Sequence, residues 1–317
     1  MSLASWMADA RLDAAVEIAP GWVTAVAGGG GVRTRVAAAG AELPPGAVVP
    51  SLTGRNIADR EVVTAALRSA LAAVDSRPRR IGLVIPDLAA RVSLVSFAEV
   101  PARAEDLEQL IRWQLRKSAP FAIEDAVVGI SPAGSGEDGA RFAVVLARRE
   151  VVREYEDVCA GLGAQAGIVD LASLSALNVV LGAGRGLDGD WLLVHVRPEY
   201  TSLAIMRGES LLFLRTRPAV DGEAVDDLVH QAVMYFHDRL GGQEFAQVFL
   251  GGRGAEPDAL DAARRVLDER LGVVVEALDL ATGTALTEAV AADAGLVAVA
   301  GPAAGMLLRA RQEPVGV

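Results

Sequence analysis

His230 and His237 stand seven residues apart in a stretch of helical periodicity, so two turns of helix place both imidazoles on one face. Two imidazoles begin a zinc site, but no third histidine or cysteine follows at ligand spacing, and the pair reads as surface or half-buried helix histidines. Cys159, the only cysteine, falls at a core position of a predicted helix with no histidine near it in sequence. It reads as a buried thiol. No Gly-x-Ser-x-Gly nucleophile elbow occurs. A phosphate loop needs Gly-Lys-Ser/Thr, yet the single lysine, Lys117, follows an arginine. The "GAGRG" of 182–186 follows a helix instead of a strand, which argues against a dinucleotide site. One glycine cluster, "LGGRG" at 250–254, does follow a strand. Gly251, Gly252 and Gly254 would let backbone approach a nucleotide, or they merely turn the chain from strand to helix. Trp113 and Phe121, in "IRWQLRKSAPF" (111–121), are the remaining candidates. They either pack a helix and its exit loop or border a groove for a partner segment, since aromatics are favoured interface anchors.

The chain that positions these residues has 317 of them, 52% hydrophobic and 22% charged, which is enough for a sizeable core and too apolar for disorder. Thirty basic against 41 acidic side chains leave a net charge of −11, which argues against non-specific nucleic-acid binding. A lone cysteine fits a reducing compartment. "MSLASWMADARLD" has no basic or apolar segment of a signal peptide. The apolar tract 289–310 is interrupted by Asp293, Gly301 and Pro302 and reads as a buried helix pair. A cytoplasmic protein is expected.

Two stretches share one pattern. Residues 13–40 and 191–218 each read as a three-stranded meander. A helix follows each (59–75 and 223–240), then a strand (80–86 and 246–252). A meander, a helix and a parallel strand, occurring twice, predict an α/β fold of two similar halves, the plan of two-lobed actin-like ATPases. Between them, acids at the start and Arg116 and Lys117 at the end favour a helix over 105–117. Pro120 stops it. A strand (141–149), a helix (151–161), and a short strand with an Asp170-capped helix (168–181) follow. "SPAGSGEDG" (131–139) reads as a flexible hairpin tip, and 182–190 as the linker between lobes. The expected organisation is a first lobe over 1–181 with an inserted subdomain at about 87–165, and a shorter second lobe over 191–317.

The sequence of elements then acquires specific marks: "LVIPD", "VSLVSFAEVP", "IRWQLRKSAPF", "AVVLARREVV", "GLGAQAGIVDLASLSALN", "VFLGGRGAEP" and "LVAVAGPAAGMLLR", in that order. In this the chain resembles the PilM family of type IV pilus assembly proteins, relatives of the division protein FtsA. Type II secretion proteins of the GspL type share the architecture and are the close competitor. The resemblance implies a nucleotide site between the lobes, but the motifs that would build it are degenerate. Where the family reads approximately Asp-Ile-Gly-Ser-Ser with a lysine further on, this chain has Glu17, Ile18, Ala19, Pro20 and Gly21, with Thr24 near the lysine position. Where it reads Asp-x-Gly, this chain has His195, Val196 and Arg197. Pro20 offers no N–H to a phosphate. Only one helix fits between Pro218 and Gln247, where the family holds an adenine-covering subdomain.

Glu17, His195, Gly251, Gly252 and Gly254 are therefore read as a vestigial nucleotide site, with no metal and no cofactor expected, ATP with magnesium being the alternative. The implied role is a non-enzymatic scaffold binding the cytoplasmic N-terminal peptide of a PilN-like inner-membrane protein, with the pilus motor ATPase as a further contact. Such a scaffold reaches the inner membrane only through its partner. Trp113 and Phe121 are assigned to that peptide, beside a sheet edge at 141–147. An ATP-binding switch of the same family and a sugar- or acid-kinase-like enzyme are the other readings.

Overall fold

The computed structural model describes residues 12–28, 35–74, 77–183, 187–220, 225–255, 258–278, 280, 285–286 and 293–310. Of the expected linker, residues 184–186 lie outside this set.

Ala14–Ala19 (β1), Trp22–Gly28 (β2) and Arg35–Glu42 (β3) form an antiparallel meander. Helix Arg60–Ala73 (α1) follows, its first turn closed by Asp59, which accepts from the N–H of Val62. Arg80–Ile85 (β4) then returns parallel to β1, and Gln165–Leu171 (β8) adds parallel to β4. The second half repeats the plan. Asp190–Arg197 (β9), Tyr200–Arg207 (β10) and Ser210–Pro218 (β11) form the meander, Val225–Leu240 (α5) the helix, and Gln247–Gly252 (β12) the strand parallel to β9. Val275–Ala277 (β13) pairs with β12, and Ala285–Leu286 (β14) with the outer edge of β3. The sheets therefore run β14-β3-β2-β1-β4-β8 and β11-β10-β9-β12-β13, the same order apart from the extra edge strand. This is the two-lobed α/β architecture that the repeated pattern predicts.

The insertion between β4 and β8 contains Ala90–Phe97 (β5), Ala104–Leu115 (α2), Ala126–Gly136 (β6) and Gly139–Arg148 (β7), with the sheet order β5-β7-β6. Alternation along β7 splits its side chains between two faces. Phe142, Val144 and Leu146 pack with Leu107, Ile111 and Leu115 of α2, which leaves Ala143, Val145 and Ala147 on the opposite face. β7 is the central strand, so the sheet edge expected at 141–147 belongs to β6 instead. The stretch read as a flexible hairpin tip is mostly strand: β6 runs to Gly136, and only Glu137 and Asp138 separate it from β7. The insertion also ends earlier than 165. Helix Arg149–Ala160 (α3) buries Val151, Val152, Tyr155, Val158 and Cys159 in the first lobe's core, against α1 and β4.

Two helices refuse the division of the chain into lobes. Ala172–Gly182 (α4) comes at the end of the first half, yet Ala176, Leu177 and Val180 pack on Trp191, Leu193, Ala204 and Phe249 of the second sheet. Ala294–Arg309 (α7) comes at the end of the second half. Its Ala300, Ala303, Ala304, Met306 and Leu307 cover Ala15, Val26, Val36 and Val84 of the first sheet. Each lobe is thus closed by a helix from the other half, because α4 and α7 are apolar round most of their circumference and serve two surfaces at once. In 289–310, residues 293–310 hold this single helix, which continues through Pro302, where the sequence reads as a helix pair. Asp170 is not the cap of α4: its Oδ1 accepts from Leu171 N–H, and Arg309 holds Oδ2.

α4 and α7 cross with almost no space between them. A Cβ on Gly305 would run into the carbonyl oxygen of Ser175, and one on Gly182 would lie 3.2 Å from Leu308. Gly305→Ala should therefore destabilise the protein by about 1–3 kcal/mol through overpacking, measured by urea denaturation. Gly295→Ala, on the exposed first turn of the same helix, should be neutral or stabilising by up to about 1 kcal/mol. Equal effects at the two sites would show that the crossing is not the tight point.

Candidate functional site

The two hairpin turns at the lobe junction are built alike. Ala19 pairs with Trp22 around Pro20–Gly21, and Arg197 pairs with Tyr200 around Pro198–Glu199. With φ +80° at Gly21, the first turn fits a Pro–Gly type II turn. Both turns thus begin with a residue that has no N–H. Pro20 is visible in the sequence as a departure, and Pro198 carries the same signal in the second hairpin.

Glu17 and His195 occupy equivalent places, each three residues before its proline. Both are fully buried, but they do different work. Glu17 Oε1 accepts from Arg197 Nη2 at 2.5 Å, a bond across the lobes between side chains only 1% exposed. The Arg197 guanidinium also lies 5.0 Å from the Trp22 ring centroid, with Arg253 at 5.3 Å from the same ring. Trp22 packs against Ala19 and Val299, so α7 closes the group from behind. Asp87, just after β4, accepts from Ser173 N–H (3.0 Å) and from Ser202 Oγ (2.5 Å), while its own N–H donates to Tyr200 Oη.

Burial pushes the Glu17 carboxyl up to about 7 against the pull of Arg197, and also raises Asp87. Burial and the Arg197 charge drive His195 well below its usual range, so it stays neutral. Where a phosphate-bound cation would need free carboxylates, this centre holds one that is already neutralised by arginine. Among the described residues no cluster of His, Cys, Asp and Glu could hold a metal.

The glycines of 250–254 have a local use. Gly251 and Gly252 pair with His195 and Val196 of β9. At φ +105°, a Cβ on Gly252 would strike the Val196 carbonyl oxygen, and one on Gly251 would lie 2.7 Å from Leu278. Gly254 is buried just beyond. The close backbone approach they permit is to β9. His230 and His237 are both exposed on α5, and Cys159 is a buried thiol that burial pushes up to about 12.

The sequence reading expects a groove for a partner segment, but which strands and residues line one was not legible in it. Between the insertion and the first lobe runs a groove of about 820 Å³. β6 and β8, the edge strands of two different sheets, line it with residues such as Gly129, Ser131, Gly167 and Asp170. Ala143, Val145 and Ala147 of β7, the face turned away from α2, form one wall. Neither Trp113 nor Phe121 lines it. Trp113 is 76% exposed on α2, across the inserted sheet, and Phe121 is half-buried against the insertion's own core. The alternation of β7 puts α2 and the groove on opposite faces, so the structure does not bring Trp113 and Phe121 to the groove.

Fold and clefts together define a two-lobed actin-like protein with an inserted three-stranded subdomain. A chain of a solved PilM–PilN type IV pilus biogenesis complex shares this fold, with a TM-score of 0.80 at 18% identity over 96% of this chain and 100% of that one. Weaker likenesses are the cytoplasmic domain of EpsL from the Vibrio cholerae type II secretion system (TM-score 0.46, 12% identity, 77% of this chain and 83% of that one) and a Bacteroides thetaiotaomicron protein with an actin-like ATPase fold (0.47, 10%, 87% and 93%). No protein-family model and no curated protein matches the sequence.

Arg197→Met should cost about 3–5 kcal/mol by stranding a buried carboxylate, and Glu17→Leu with Arg197→Met should cost less than the single change; urea denaturation reads both. The pH dependence has a definite sign. The Glu17 pKa rises from 4.5 to about 7 on folding, so its contribution is complete below about 4.5 and is lost as pH rises through about 7. The Tm of wild type minus that of Glu17→Gln should accordingly be larger at about pH 5.5 than at about pH 8.5. The opposite order would mean that the ion pair lowers the Glu17 pKa.

Proposed function

We propose that this protein is a non-enzymatic cytoplasmic scaffold of a type IV pilus inner-membrane complex, and that the groove between β6 and β8 takes an extended N-terminal segment of a PilN-like membrane protein. The observation that carries the reading is the groove itself. Two strands, each at the edge of its sheet among the described residues, flank a trough in a chain sharing its whole fold with a member of a PilM–PilN complex. An edge strand binds extended peptide through main-chain hydrogen bonds, and the pockets beside it select side chains. No helix among the described residues is long and apolar enough to cross a membrane, so attachment through a partner's segment suits the fold. The Glu17–Arg197 pair and the two proline turns support a role independent of nucleotide hydrolysis.

A fluorescein-labelled peptide covering the cytoplasmic N-terminus of the PilN-like protein should bind with a dissociation constant in the micromolar range, because ordering it consumes part of the contact energy. Val145→Arg, which fills the trough, should weaken binding at least about tenfold. Trp113→Ala should leave the affinity unchanged, since that side chain lies across the sheet. Failure of the peptide to bind wild type, or binding indifferent to Val145→Arg, would remove the groove from this role. Calorimetry with Mg-ATP should show no binding, and a magnesium-dependent dissociation constant in the low micromolar range would favour the ATP-switch reading instead.

A further inference from the structure

The groove is not an open trough, because one side chain spans it. Arg309, at the end of α7, donates from Nη1 to Asp170 Oδ2 at 2.6 Å and from Nη2 to Ser131 Oγ at 3.4 Å. Asp170 belongs to β8 and Ser131 to β6, so the guanidinium joins the two edge strands. Asp170 is itself fixed, since its Oδ1 accepts from Leu171 N–H at 2.8 Å.

Along β6, Ser131 lies between Ala126, whose carbonyl accepts from Arg149 Nη2, and Gly134, where a Cβ would strike Ser210, with Met206 and Leu211 of the second lobe also lining the groove. Any extended segment running the length of the groove therefore passes Arg309.

We infer that Arg309 is the positioning residue of the groove, donating to a main-chain carbonyl of the extended segment and so fixing its register. This rests on the peptide reading above. A guanidinium carries five N–H donors in a fixed fork, and Asp170 and Ser131 engage two of them. Arg309 lines the groove with its side chain 26% exposed, so the remaining donors are available to an occupant. The Asp170 carboxylate, 6% exposed, cancels its charge at 2.6 Å, so a neutral acceptor suits the position better than a carboxylate. An extended chain offers a carbonyl at every residue, and the clasp selects one by distance. Lysine at this position would keep the ion pair to Asp170 but lose the fork that reaches two partners and an occupant together.

The test uses full-length protein and the same labelled peptide. Arg309→Lys and Arg309→Gln should each weaken binding roughly tenfold to a hundredfold, the effect of one lost charge-assisted hydrogen bond, while the Tm of Arg309→Lys stays near wild type. A purely structural tie between α7 and β8 would instead lower the Tm and leave the affinity of the folded fraction intact. A second measurement does not depend on how the variants fold. Peptides in which single carbonyl oxygens are replaced by sulfur, a poorer acceptor, are titrated against wild type. One position should show a loss that disappears in Arg309→Gln. Wild-type binding that is insensitive both to Arg309→Lys and to sulfur at every position would overturn the inference while leaving the peptide reading in place. Absence of wild-type binding would instead overturn the peptide reading.

Discussion

A carboxylate and a guanidinium shut away from water hold the middle of this molecule. Glu17 comes from the first sheet and Arg197 from the second, and the two meet side chain to side chain, both 1% exposed. Burying such a pair adds little net stability over apolar packing, but separating it is expensive. The pair therefore fixes the relative position of the lobes more than it strengthens the fold. Trp22 stacks on Arg197 and carries Arg253 over the same ring, Asp87 holds Ser173 N–H and Ser202 Oγ nearby, and Val299 of α7 packs on Trp22. With the lobes set in this way, Met206 and Leu211 of the second lobe come to line the far end of the groove.

The two sites follow from one topological choice. An α/β half of this kind leaves its fifth strand at the sheet edge, and in the first half that strand is β8. Inserting a three-stranded sheet just before it brings a second edge, β6, alongside. β7 needs one large apolar face for α2 and supplies it with Phe142, Val144 and Leu146. Its other face carries Ala143, Val145 and Ala147, small enough to leave a trough. The recognition surface is thus the residue of a packing arrangement in which one face of a thin sheet is filled and the other is kept shallow.

Much of the fold was legible because it is written locally. Apolar runs broken by Pro and Gly marked both meanders, and the helix at 104–115 announced itself by acids first and bases last. That His195 brings no carboxylate and Pro20 no N–H was legible too, since residue type alone says so. What was hidden was long-range. Nothing near Asp170 reveals that its partner is Arg309, and nothing in 294–309 says that this helix covers the opposite lobe. That Trp113 lies outside the groove was hidden for the same reason, because its place depends on which side of the inserted sheet its helix lies.

The exchange of α4 and α7 also governs the order in which the chain can mature. Synthesis releases β1, β2 and β4 early, but the residues that cover Ala15, Val26 and Val84 come only in α7, Ala294–Arg309. Domains ordinarily fold as units while the chain emerges, the N-terminal one first. Here the first lobe cannot be completed before the second has been made. Its sheet waits with an apolar face open to water, and to chaperones, until α7 leaves the ribosome. Its maturation is thereby tied to synthesis of the far end of the chain.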